Sequence, residues 1–441
     1  MPAPVTVIGA GLAGCEVAWQ LAERRIPVTL HEMKPEKFSP AHSSPALAEL
    51  VCSNSLRSDS PDHAAGLLKR EMERCGSLIM KAARATCIPA GSALAVDREA
   101  FSLKISKAIS NHPLISLVHG EVTSLPTAGI TVIATGPLTS EKLAETLTSL
   151  VGERLYFYDA TAPIIAADSI NYDICFWGNR YQPEARGDYL NCPLDREQYL
   201  KLVETITEGD QVRARKFEDR KVFEGCMPIE TMAARGVETL AFGPLKPVGL
   251  IDPRTGTQAH AVVQLRSENR EESMLNLVGF QTRLSFPWQE KVIHLIPGLE
   301  NATIYRYGTM HRNTFINAPQ LLNRCFQHLQ KPDIFFAGQI SGVEGYLESA
   351  ASGLIVGIQI ALLQDSGRFF SFPETCALGA LSNHITNTHS KNFQPMNINF
   401  GLFPPLGKKM KKAARKAAYA ERALTDLSAW LQRYPNPPPD R

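Results

Sequence analysis

The stretch Val5-Thr-Val-Ile-Gly-Ala-Gly-Leu-Ala-Gly14 decides the fold. Its first four residues are all β-branched and read as a short strand. The next six place glycine at 9, 11 and 14. A helical pattern follows, with Val17, Ala18 and Leu21 apolar and Glu23, Arg24 and Arg25 polar. A second strand begins at Ile26 and ends at Glu32. The whole is a βαβ unit of about thirty residues. Gly9 permits the tight turn, Gly11 lets the backbone approach a pyrophosphate, and Gly14 lets helix and strand pack closely. Ala10, Leu12 and Ala13 fill the motif, and the helix N-terminus offers its N–H groups and positive dipole end to phosphates. Glu32 is placed to accept hydrogen bonds from a ribose. A glycine-rich turn in some other α/β fold is the competing account, and strand, helix, second strand and terminal acid together argue against it.

Two distant stretches extend this unit. Residues 129–136 form a second apolar strand that ends at Gly136. Phe335-Phe-Ala-Gly-Gln-Ile-Ser-Gly342 is another strand-to-helix turn, carrying Gly338, Gln339 and Gly342. A chain that returns to its nucleotide fold after a mid-chain insertion favours FAD over NAD, by analogy between folds. Between them, residues 156–297 alternate short apolar runs with turn residues, and only 195–207 looks like a long helix. The expected architecture is therefore α/β. A Rossmann-like FAD-binding domain of the glutathione-reductase type is built from residues 1–155 and 298–441. A strand-rich α+β substrate domain, 156–297, is inserted in it. Residues 39–61 read as one long Ser- and Pro-rich loop. Helices are predicted over 64–84, 98–111 and 408–433, and strand over 118–125.

Composition limits the function. Of 441 residues, 44% are hydrophobic and 20% charged, so wholesale disorder is excluded. The net charge of +2 is not that of a polycation, but it hides an asymmetry. Between Lys408 and Arg422 stand Lys408, Lys409, Lys411, Lys412, Arg415, Lys416 and Arg422 against the single acid Glu421. This segment is either a phosphate-contacting surface or a solvated helix face. None of the nine cysteines forms a CxxC pair, which removes zinc ribbons, thioredoxin-like centres and iron–sulfur runs; no metal site is expected. No secretory signal is read at the N-terminus, and reduced thiols point to the cytoplasm. The apolar stretch 343–363 carries Glu344 and Glu348 and is expected to be too short to span a membrane.

Two cysteines stand apart. Cys52 lies in or beside the long loop, within Leu50-Val-Cys-Ser-Asn-Ser-Leu-Arg57. Cys226 is bracketed by Gly225 and Pro228 in a tight turn. A thiolate is a good nucleophile toward an electron-poor ring carbon such as C6 of uracil. The other seven are expected to be structural, as most unpaired cysteines are.

These segments resemble the TrmFO family of folate- and FAD-dependent tRNA (uracil-5-)-methyltransferases, relatives of the GidA/MnmG flavoproteins. The resemblance covers most of the chain. It runs through Gly9 to Gly14 with Glu32, Cys52 to Arg57 and Gly225-Cys-Met-Pro-Ile-Glu230. It continues in His311-Arg-Asn-Thr-Phe-Ile-Asn-Ala-Pro319, Phe336 to Tyr346, Glu348-Ser-Ala-Ala-Ser-Gly353 and Asn397-Ile-Asn-Phe-Gly-Leu-Phe-Pro404. It implies that 5,10-methylenetetrahydrofolate supplies a one-carbon unit, relayed through FAD reduced by NAD(P)H to C5 of the T-loop uridine 54 of tRNA. Cys226 then resembles the nucleophile that adds to C6, Cys52 the second thiol that handles the C5 proton, and Tyr346 an aromatic neighbour of the flavin. His311, Arg312 and Asn313 are expected to touch flavin or folate, with a structural turn as the alternative. Lys409, Lys412 and Arg415 are expected to contact tRNA phosphates. No membrane and no obligate protein partner is inferred. The alternatives are a related flavin enzyme acting on a wobble uridine or on ribosomal RNA, and an FAD-stabilised RNA-binding protein without catalysis.

Overall fold

Strand β1 (Val5–Ile8) is the middle strand of a five-stranded parallel sheet. In the computed structural model, residues 4–152, 155–160, 162–182, 186–211, 227–387, 393, 395–407 and 410–434 are described, with backbone alone at 155–160, 310–313, 412 and 413. On one side of β1 lies β2 (Val28–Glu32), then Ile115–His119; on the other lie Thr131–Ile133 and Ile334–Phe336. All the pairings are parallel. Val5 and Val7 are wholly buried, as a strand covered on both faces requires. The strand order reverses beside β1, which opens a crevice at the carboxyl ends of the strands.

Helix α1 (Leu12–Ala22) joins β1 to β2. It is buried almost all round, because the helix Tyr346–Ser366 lies against it. Gly353 and Gly357 make this approach possible. A Cβ on Gly353 would stand 2.4 Å from the Ala13 carbonyl oxygen, and one on Gly357 2.7 Å from Cβ of Gln20. Glu16, buried on α1, accepts hydrogen bonds from Ser77 Oγ (2.8 Å) and the Ile79 N–H (3.0 Å). Burial raises its pKa. The carboxylate thereby satisfies the start of the helix Leu78–Ala85.

The structure corrects the expectation for 343–363. The helix there has 21 residues and a mean hydropathy of 1.5 over its most apolar window, enough by length and composition to cross a membrane, yet 83% of that window is buried inside the protein. Its apolarity serves α1 and the core. Three other elements differ from expectation. The helix expected over 64–84 is two, Ala64–Arg74 and Leu78–Ala85, broken where Gly76 takes a φ of 75°. The strand expected over 118–125 is Ile115–His119 and stops at Gly120, φ 127°. The long loop contains the strand Ser55–Ser58, which joins Ala93–Val96 and Cys87–Ile88 in a small sheet.

The middle of the chain forms a six-stranded sheet in the order Phe176–Trp177, Tyr189–Leu194, Ala261–Ser267, Met274–Leu277, Ile164–Ala166 and Ile304–Arg306. Leu190, Tyr199, Val263, Leu265 and Leu275 belong to a hydrophobic cluster distinct from the one around β1. The helix Arg196–Glu208 seals it and begins with a capping box, Asp195 with Gln198. The helix Lys412–Arg433 buries Ala423, Leu427 and Trp430 in the first cluster.

Gly353→Ala is expected to destabilise the protein by about 1–3 kcal/mol, because its methyl meets backbone that cannot yield. Gly11→Ala, whose Cβ meets no protein atom within 4 Å, leaves stability unchanged. Thermal denaturation of both variants without cofactor checks the difference.

Candidate functional site

A groove lies over the glycine turn. Of the residues expected at a nucleotide site, Gly9, Ala10, Gly11, Leu12 and Ala13 line it, with Glu32, Gly136, Gly338, Gln339 and Tyr346. Cys52 lines it too. Gly14 and Gly342 do not. A Cβ on Gly14 would fall 1.8 Å from the Gly9 carbonyl oxygen, so this glycine serves the helix–strand crossing. Gly342, φ 87°, packs under the Phe393 ring and ends the short turn Gln339–Ser341.

The groove fits a dinucleotide by its own chemistry. Gly9 sits so close to the neighbouring strand that its Cβ would be 2.7 Å from the Ala134 carbonyl oxygen. Gly11 faces open space at the N-cap of α1, where N–H groups and the dipole favour phosphate. Glu32 is buried, with Oε2 on the Ala10 N–H (2.9 Å) and Oε1 on the Lys34 N–H (3.0 Å). Each oxygen keeps a lone pair for a ribose hydroxyl. Lys34 also lines the groove. Its ammonium is spent on the carbonyls of Ser44 and Ala46 and on Glu49, so it organises the loop that covers this end.

Tyr346, the first residue of its helix, meets Cys52 at another part of the groove. Its hydroxyl accepts the Cys52 N–H at 2.6 Å and lies 2.9 Å from Cys52 Sγ. Burial, then the nearby Cys52, holds the phenol pKa well above its usual value. The phenol therefore keeps its proton and donates it to the sulfur when the sulfur is a thiolate.

The rest of the cysteine loop is fixed by guanidinium groups. Arg98 Nη1 donates to the Leu50 and Val51 carbonyls, while its Nε and Nη2 reach Glu268 Oε2 at 2.9 and 2.7 Å. Arg266 donates to Asn54 Oδ1 and Ser53 Oγ, and Asn54 in turn bonds the carbonyls of Val96 and Ser267. Arg266 and Glu268 come from the inserted sheet or its edge, so both parts of the molecule hold this loop. Sequence reasoning missed Arg98, Arg266 and Glu268. No local motif marks them, since 170 residues separate Arg98 from its carboxylate partner.

Four other thiols are poorly suited to ionise. Burial pushes the thiols of Cys15, Cys75 and Cys376 far up, and Cys325 to about 11. Cys87 is exposed but lies outside the groove lining. Cys226 and Lys409 fall outside the described residues. His311, Arg312 and Asn313 lie on the strand Met310–Phe315, paired in backbone register with Asp159, Tyr158 and Phe157; their side chains are not described. That strand adjoins the groove, since the Thr314 N–H bonds the carbonyl of Pro137, a lining residue. Lys412 opens the C-terminal helix, and Arg415 is exposed on it. Arg415 does not line the groove.

Comparison with known proteins agrees with this geometry. A family model described as glucose inhibited division protein A matches residues 4–367. The methylenetetrahydrofolate--tRNA-(uracil-5-)-methyltransferase TrmFO of Pelobacter propionicus is 58% identical over 98% of this chain and 96% of its own. That of Geobacter sulfurreducens is 58% identical over 98% and 99%. Among solved structures, Aquifex aeolicus GidA in its form II crystal superposes with a TM-score of 0.69 at 16% identity, covering 98% of this chain and 76% of that one. The last is a likeness of fold.

Tyr346→Phe removes the hydroxyl that meets the Cys52 sulfur. Alkylation of Cys52 by iodoacetamide, followed by peptide mass spectrometry at neutral pH, is expected to slow by about 10-fold or more, the scale of one hydrogen bond to a charged group. An unchanged rate contradicts the assigned contact.

Proposed function

The chain belongs to the TrmFO family of methylenetetrahydrofolate--tRNA-(uracil-5-)-methyltransferases, and from that premise we propose that it methylates C5 of the T-loop uridine 54 of tRNA. The carbon comes from 5,10-methylenetetrahydrofolate, the electrons from NAD(P)H, and the place of action is the cytoplasm. The observation that carries the proposal is the meeting of Cys52 and Tyr346 in the same groove as the glycine turn and Glu32. Such a groove sets a sulfur beside a dinucleotide cofactor.

FAD is the cofactor that these residues suit. Glu32 would take a ribose hydroxyl, the start of α1 the pyrophosphate, and the part of the groove at Gly338, Tyr346 and Cys52 the flavin ring. When bound and reduced, FAD supplies the electrons and the ring nitrogen through which the one-carbon unit passes.

The protein's own groups then have separate tasks. Uridine C5 is a weak nucleophile until a thiolate adds to C6, and its proton must leave after the carbon is attached. Cys226 is assigned the first task and Cys52 the second. Tyr346 supports Cys52 by donating to its thiolate, and the Arg98 guanidinium fixes the carbonyls that precede it. The target base must leave its stack, which costs a few kcal/mol. Lys409, Lys412 and Arg415 are proposed to offset part of this through phosphate contacts. His311, Arg312 and Asn313 are assigned to flavin or folate, supported by the strand that adjoins Pro137. Residues 1–155 with 298–441 are taken as the cofactor-holding part and 156–297 as the inserted substrate part; the two hydrophobic clusters support two such parts, but the second cluster runs on to Leu299 and Ala302 and the inserted sheet to Arg306, which moves the second boundary past Arg306.

Purified FAD-loaded protein, NAD(P)H, unmodified tRNA and methylene-labelled methylenetetrahydrofolate test this directly. The label is expected at C5 of uridine 54, with none transferred from labelled S-adenosylmethionine. Label at another nucleotide, or transfer from S-adenosylmethionine, overturns it.

A further inference from the structure

Arg306 ends the strand Ile304–Arg306 of the inserted sheet. Its Nε and Nη2 are buried, and neither has a hydrogen-bond partner among the described residues. The charged and titratable groups that act on it are Arg98, Glu268, Tyr346 and Cys52. Glu268 is itself buried, and the structure uses only half of its carboxylate. Oε2 takes the Arg98 fork, while Oε1 is buried without a hydrogen-bond partner among the described residues. Arg98 ties this carboxylate to the Leu50 and Val51 carbonyls, immediately before Cys52. Among the described residues, two donors and one acceptor therefore stand unsatisfied and desolvated near the thiol loop.

Such groups are expensive to leave unpaired, and each calls for a completing partner, whether an ordered water or a ligand. The dinucleotide does not explain them, because neither Arg306 nor Glu268 lines its groove. Their pattern is complementary to the amide edge of a pyrimidine. A ring carbonyl accepts from arginine, and the adjacent ring N–H donates to the carboxylate oxygen. Arginine on a base carbonyl and a carboxylate on a base N–H are both established base-edge pairings.

We propose that Arg306 and Glu268 form the docking pair for the acceptor uracil, with Arg306 donating to a ring carbonyl and Glu268 Oε1 accepting from N3–H. This rests on the reading of the chain as a uridine methyltransferase. Docking through N3 and a flanking carbonyl leaves the C5–C6 edge unengaged and open to the reacting groups. It also selects against cytosine, which has no N–H at N3 and carries a donor where uracil has O4. A positively charged fork that stays unpaired until the base arrives further favours a ring carbonyl over an apolar neighbour.

The test uses the FAD-loaded full chain with Arg306→Met and Arg306→Lys. Retention of flavin and an unchanged rate of flavin reduction by NAD(P)H show that each variant is folded. Methylation of tRNA is then measured on the normal substrate and on tRNA carrying N3-methyluridine at the target position. Arg306→Met is expected to lose at least 10-fold in kcat/KM for tRNA, with Arg306→Lys intermediate. The wild type is expected to lose at least 10-fold on the N3-methyl substrate, and that loss is smaller in Arg306→Met because one contact of the pair is already gone. Wild-type kcat/KM in Arg306→Met overturns the docking pair, as does a loss confined to an RNA-free step driven by methylenetetrahydrofolate. A wild type that transfers no labelled carbon to any tRNA overturns the methyltransferase reading, and the docking pair with it.

Discussion

The hydroxyl of Tyr346 on Cys52 is the contact on which the site depends. It joins the start of the long buried helix to a loop nearly three hundred positions earlier in the chain, bonding both the N–H and the sulfur of one residue. The helix can hold Tyr346 there only because Gly353 and Gly357 let it lie against α1. α1 begins at the glycine turn. The nucleotide cradle and the thiol are therefore positioned by one packing contact, and a displacement of either helix would move both.

A second constraint comes from the inserted sheet. Arg98 and Arg266 bind the residues on either side of Cys52, and the carboxylate that holds Arg98 is Glu268 at the end of the Ala261–Ser267 strand. Buried ion pairs of this kind contribute little net stability, since desolvation offsets the attraction. Their use here is geometric. They keep a loop rich in small polar residues in one conformation, and they leave one oxygen of Glu268 and two nitrogens of Arg306 without a hydrogen-bond partner among the described residues.

The cofactor half was legible in the sequence because its requirements are local. Glycines at 9, 11 and 14 and an acid at 32 report backbone conformations and close approaches within one βαβ unit. The long helix was visible, but its apolar run was judged too short: Glu344 and Glu348 suggested an interruption, whereas both are buried, with Glu348 bonded to Arg57 and to the Ile398 N–H. The break at Gly76 was missed because the apolar spacing continues on both sides of it. Arg98, Glu268 and Arg306 were not legible at all. Each is an ordinary charged residue in its own segment, and only the folding of the inserted sheet onto the cysteine loop brings them together.

The central claim is that the groove delivers a flavin ring to Cys52. A crystal structure of the FAD-loaded protein measures this most directly. The account predicts the isoalloxazine in van der Waals contact with Tyr346 and the Cys52 sulfur, and the adenosine ribose on Glu32. An isoalloxazine bound at the Glu32 end, or anywhere out of contact with the cysteine loop, contradicts it.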